Sequence, residues 1–180
     1  SVHHSEDVSI SGSVFSRCIS RNGGGIFIEQ STVTLLSVSL QECASTSEGI
    51  GGGGVYAQGD RSQVFMSNCD FIGNSALSSC GGGLALHGLG LLDSSTLANC
   101  KFLGNVAENG GAVCIENSAV KLASLDVSHN SAKNKGGALF VSLAGQVAVV
   151  DGVMVNNTAD FGGALASSGG SVVLDRAVLR

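Results

Sequence analysis

His87 and Glu116 are the pair in this chain best suited to moving a proton. Each stands three residues after the aliphatic residue that closes a glycine block, so the two share one column of a repeat. An imidazole beside a carboxylate is the minimum equipment for acid–base work near neutral pH. The rest of the column reads Glu29, Gln58, Ser142 and Ser168, the composition of a solvated face, and no catalytic role is expected of it. Asp70, Lys101 and Asp126 form a second column of alternating sign. Such a ladder is worth a few tenths of a kcal/mol per exposed pair, and a calcium site would want the carboxylates without the lysine between them. No metal or cofactor is expected.

The six cysteines include no C-x-x-C spacing, which leaves zinc and redox motifs unsupported. Cys18 and Cys43 fall in one repeat column, and Cys69 and Cys100 in another. Stacked Cα atoms about 4.8 Å apart lie within disulfide range, so these are the candidate bridges. Free thiols filling a core are the preferred alternative, and Cys80 and Cys114 have no column partner. Asn156 opens the N-x-[ST] sequence of the chain, a candidate glycosylation site. His3 and His4 sit at a ragged end and read as a disordered or tag-like pair, not as metal ligands.

The elements that position these residues follow from a repeat. Glycine blocks, each closed by an aliphatic residue, begin at Gly23, Gly52, Gly81, Gly110, Gly136 and Gly162. A fixed period of this size implies a stacked solenoid. Upstream of most blocks runs an apolar pattern with spacings of two, three and two, as in Val33, Leu35, Val38, Leu40. It reads as two short strands meeting at a bend, and alternation after each block marks a third. Three short strands in roughly 25–31 residues are too few for a βαβ unit but enough for one turn of a parallel β-helix. The fold expected over 1–180 is therefore all-β, a single right-handed β-helix segment of about six to seven coils.

The corners carry their own residues. Asn74 and Asn105 end an F-x-x-N element, and Asn130 and Asn157 end the same element with Val127 and Met154 as leaders; the four should stack as an internal ladder, satisfying turn groups that cost ~1–3 kcal/mol each when orphaned. Gly73, Gly104, His129 and Asn156 precede them, types that tolerate positive φ. Gly24, Gly53, Gly82, Gly111, Gly137 and Gly163 fit a second corner, pressed against the neighbouring coil. Between the inward residues of the post-glycine strand lie Phe27, Tyr56, Ala85, Cys114, Phe140 and Ala166. This outward apolar stripe is either an interaction face, anchored on Phe27, Tyr56 and Phe140, or a face covered by another segment.

The motifs G-G-A-[hydrophobic], literal in Gly110–Val113, Gly136–Leu139 and Gly162–Leu165, and F-x-x-N, literal in Phe71–Asn74 and Phe102–Asn105, resemble the repeats of chlamydial polymorphic outer-membrane proteins. Those are autotransporter passengers with a pectin-lyase-like right-handed β-helix. The first three glycine blocks carry Gly in place of Ala, and the first two repeats place Cys18 and Cys43 where Asn stands later. The resemblance implies a surface or adhesin-like role.

Composition narrows the partners. The net charge is −5, with 13% charged residues and no basic cluster, which argues against nucleic acid and anionic membrane. No apolar run approaches a membrane span of ~20 residues. Five scattered Thr make a poor ice-binding array. The expected function is a non-enzymatic secreted or cell-surface stalk, scaffold or adhesin, contacting other protein segments or surface glycans. The alternative is a polysaccharide lyase or glycoside hydrolase. Because Val8 begins partway through a coil and the copy over 172–179 lacks a glycine block, a fragment of a longer rod that associates end to end is also expected.

Overall fold

Every coil is held in place by the coil beside it, strand against strand in parallel register. The computed structural model describes residues 1–3, 7–46, 48–49 and 51–180, and His4 lies outside them. Phe71 pairs with Leu40 on one side and with Phe102 on the other, and the same superposition recurs along the chain. The result is a right-handed parallel β-helix of about six turns. Among the described residues seven strands, from Val14–Ser16 through Asp70–Ile72 to Val178–Leu179, form one wall. Five of the described strands form another, and twelve more make the remaining two, joined where Leu84–Ala98 and Val113–Ala123 run through both.

Each full coil therefore has four strand positions, where the apolar pattern implied about three. The additional strand follows the Asn corner, as in Ser75–Cys80, Val106–Asn109 and Ser131–Lys135. It sends a single small residue to the core, Ala76, Ala107 or Ala132, so it leaves no alternation to read. The coil between residues 84 and 98 also escapes the two-three-two pattern, because Ser95 stands where the other coils carry an aliphatic residue. Its buried hydroxyl accepts the backbone N–H of Val64 at 3.0 Å.

Two of the bends in each coil use left-handed backbone at a single residue that in most coils carries a Cβ. Ser37, Asn68, Asn99, Ser124 and Asp151 turn the first, with φ of 52–54°. Arg17, Glu42, Gly73, Gly104, His129 and Asn156 turn the second, with φ of 53–66°. Left-handed geometry costs roughly 1–2 kcal/mol for a residue with a Cβ. Stacking offsets it, because the N–H of each such residue donates to a carbonyl of the next coil: Ser37 to Ser67 and Glu42 to Ile72, both at 2.9 Å. Position in the stack overrides residue type here.

The paired glycines divide two tasks between them. Gly81 has φ of 76°, whereas its neighbour Gly82 has ordinary φ. A Cβ on Gly82 would collide with the carbonyl oxygen of Gly111 and lie 2.6 Å from the backbone nitrogen of Val106. The first glycine makes the turn and the second lets two backbones touch. Gly24, Gly53, Gly111 and Gly137 are enclosed in the same way. Gly163 meets only the carbonyl of Asn157, at 2.9 Å.

Inside, like stacks on like. Phe71 and Phe102 are fully buried with ring centroids 4.5 Å apart and planes 6° from parallel. The next inward residue along the chain is the ladder Asn. Asn105 Oδ1 accepts both the backbone N–H and the amide of Asn74 at 3.0 Å. Its own amide donates to Phe71 O at 2.9 Å and to Asn130 Oδ1 at 2.9 Å. Asn130 repeats the arrangement with Asn157. At the upper end Asn74 Oδ1 accepts the N–H of Cys43, where the column changes from Asn to Cys.

Replacing Asn105 by Ala would strand one buried group, the Asn74 N–H, and remove a second hydrogen bond from the Phe71 carbonyl. At ~1–3 kcal/mol per orphan the expected loss is roughly 1–3 kcal/mol, read as a lower urea midpoint. A midpoint equal to that of the unmodified protein would contradict the structural role of the ladder.

Candidate functional site

The post-glycine strands Ile26–Glu29, Val55–Gln58 and Leu139–Ser142, together with the first residues of the two long strands, end in the column that holds His87 and Glu116. Strand alternation turns this column outward, and parallel register sets its members side by side. His87 Nδ1 lies 3.3 Å from Glu116 Oε2, and Ser142 Oγ donates to Glu116 Oε1 at 2.7 Å. Both carboxylate oxygens are thereby engaged, and the Glu116 side chain is only 14% exposed. Further along, Gln58 donates to Glu29, Tyr56 Oη donates to Gln58 Oε1 at 2.8 Å, and His3 Nδ1 lies 3.1 Å from Glu29 Oε2. His3 is thus an ordered strand residue, held also by an edge contact with Phe27 at 5.3 Å, contrary to its reading as a disordered terminus. Chemically the column holds two bonded groups, His3 with Glu29, Gln58 and Tyr56, and His87 with Glu116 and Ser142.

The outward apolar stripe beside it is covered by the chain itself. Tyr56, Ala85, Cys114 and Phe140 are buried, and they form with Cys80 a second apolar cluster outside the main core. Phe27 and Ala166 close it at either end as half-buried residues. Cys80 comes from the additional strand of the coil, and Lys135, from the same strand two coils on, sets its Nζ 5.9 Å from the Phe140 ring. Tyr56 and Phe140 are therefore packing residues: of the two readings of the stripe, the covered face holds and the interaction face does not. Burial, with Glu116 and Glu29 nearby, pushes the Tyr56 phenol up to about 12. An unfolded Tyr ionises near pH 10, so this group stabilises the fold fully below that pH. The contribution is lost as pH rises from about 10 to 12.

The disulfide joins Cys80 to Cys114, the two cysteines without a shared column. Cys18, Cys43, Cys69 and Cys100 are free, as the preferred reading had it, and the column pairings offered as candidate bridges do not form. Residues in one inward column project in parallel, so their Cβ atoms keep about the full 4.8 Å strand spacing, beyond the ~3.8 Å typical of a bridge. Cys80 instead approaches Cys114 from the covering strand, with Cα atoms 5.6 Å apart. The free thiols are capped by carbonyls, Cys69 by Ser67 O at 3.4 Å and Cys100 by Ala98 O at 3.3 Å. Burial pushes the Cys43 thiol up, which keeps it protonated. A usable signal for the true pair was present, since Cys80 directly precedes one glycine block and Cys114 stands in the outward stripe of the next. Asn156 is exposed at a bend, its Nδ2 3.4 Å from His129 Nε2.

With coil, ladder and walls in place, the family follows. Residues 1–176 match the family model described as Right handed beta helix region, and the chain belongs to that family. No curated protein and no solved structure matches it.

Opening the Cys80–Cys114 bridge removes a link across 34 residues of chain. The chain-entropy relation puts the expected cost at about 3–4 kcal/mol. A Cys80→Ser, Cys114→Ser double variant should show that loss in urea denaturation. Equal midpoints would mean that the bridge does not constrain the fold.

Proposed function

We propose that this chain is a non-enzymatic segment of a secreted or cell-surface β-helix protein, serving as stalk, scaffold or adhesin. The observation that carries the reading is the bonding of its most reactive polar groups to one another along the rod. One Glu116 carboxylate oxygen faces His87 and the other accepts the hydroxyl of Ser142, so the pair is tied to its column neighbours on the wall. Among the described residues, two depressions on the sheet face, one lined by Ser94, Lys121, Gln146 and Ser171 and one by Thr34, Phe65, Met66 and Thr96, contain no carboxylate, and a third holds the single carboxylate of Asp60 beside Arg61. Such surfaces suit adhesion to protein segments or glycans better than glycosidic cleavage.

The location rests on the disulfide and on the repeat. A buried bridge is the habit of proteins that mature in an oxidising compartment. The likeness of the G-G-A and F-x-x-N motifs to chlamydial surface-protein repeats points the same way. Asn156 stands exposed in its N-x-T sequence, open to glycosylation where the host cell performs it.

The enzymatic alternative would use His87 and Glu116. Incubation with polygalacturonate and with alginate, followed by assay for released uronate, is expected to give none above a protein-free blank. Release that disappears in Glu116→Gln would overturn the reading and make the column an active site.

A further inference from the structure

The disulfide conceals a second arrangement of the same atoms. Cys80 Sγ, Cys114 Sγ and a carboxylate oxygen of Glu116 all lie within 4.8 Å of one another. Two thiolates and a carboxylate around one point are a donor set for a borderline-soft divalent ion, and tetrahedral zinc takes sulfur at ~2.3 Å and oxygen at ~2.0–2.2 Å. The surroundings have the features of a built site. Both cysteines are buried, and the carboxylate is oriented by His87 on one oxygen and Ser142 on the other. Partners of this kind fix the geometry of a metal-ligating group. Asn109, paired in register with Cys80, keeps a buried side-chain oxygen that no hydrogen bond satisfies among the described residues.

We propose that Cys80, Cys114 and Glu116 form a zinc site that exists only while the disulfide is open. Asn109 Oδ1 or a water fills the fourth position, and His87 and Ser142 act as positioning residues. In the oxidised protein the sulfur lone pairs belong to a neutral disulfide, a poor ligand for a divalent ion. A phosphine opens it by a two-electron reduction: the S–S bond breaks, the phosphine takes the oxygen of a water molecule, and each sulfur takes one of its protons. Zinc then displaces those two protons as two Zn–S bonds form. The ion would replace the covalent link with a coordinate one between the same two residues, so the stripe over Tyr56 and Phe140 would stay covered in both states. This inference is independent of the scaffold reading, since a structural metal suits an enzyme or a stalk equally.

The test uses the whole chain, reduced with a phosphine and freed of it under nitrogen. Titration with Co²⁺ is expected to give intense thiolate-to-cobalt charge-transfer absorption that saturates at one ion per chain and disappears on adding Zn²⁺. The oxidised protein should give none. Cys114→Ser should abolish the absorption although the four core cysteines remain. Glu116→Gln, which keeps its hydrogen-bonding shape, should weaken Zn²⁺ binding at least tenfold against a chromophoric chelator. His87→Ala should weaken it by roughly 10–100-fold. No absorption in the reduced chain, equal absorption in Cys114→Ser, or equal binding by the oxidised chain would each overturn the proposal.

Discussion

Parallel in-register stacking is the constraint on which everything else in this molecule depends. Each coil meets its neighbours residue over residue, so any feature tolerated once is repeated at the spacing of paired strands. The left-handed bends illustrate the consequence. Arg17, Glu42 and Ser37 are poor choices for positive φ in isolation, yet each is held there by a backbone bond to the next coil. The Asn ladder and the Phe71–Phe102 stack have the same origin, since groups placed side by side at that distance bond or stack with their own kind. Gly82 and its column counterparts mark where two backbones come too close for any side chain.

What the sequence disclosed follows from that constraint. Features that recur with the period were legible: the glycine blocks, the inward aliphatic pattern and the Asn positions, which together define the coil. Features that occur once, or that send only one small residue inward, were not. The strand bearing Ala76, Ala107 and Ala132 offers no alternation, so the coil read as three strands where it has four. Because that strand was missed, the segment covering the stripe of Tyr56, Cys114 and Phe140 could not be named, and the choice between a covered face and an interaction face stayed open. The disulfide was hidden for the same reason. Column membership pairs Cys18 with Cys43 and Cys69 with Cys100, but the bridge forms between different columns, through the covering strand.

The candidate site shows how the fold disposes of reactive groups. His87 and Glu116 were recognisable as neighbours because they share a column, and the register brings them together. Ser142 could not be singled out, since a serine three residues past a glycine block has no signature of its own. Its hydrogen bond turns a potential acid–base pair into part of a ladder. Sulfur chemistry stands beside that ladder because the covering strand delivers Cys80 to the outward face of the next coil. Scaffold, disulfide and polar column are thus three results of one geometry.

Amide hydrogen exchange tests the stacking account most directly. The backbone N–H groups of Cys43, Asn74, Asn105 and Asn130 sit at corners, where exchange in an ordinary loop is fast. Here each donates to the side-chain oxygen of an Asn in the next coil, at 2.8–3.0 Å. The account requires these four amides to exchange as slowly as those of the adjoining strands, because they open only when coils separate. Exchange of Asn74 and Asn105 at the rate of exposed turn amides would contradict it.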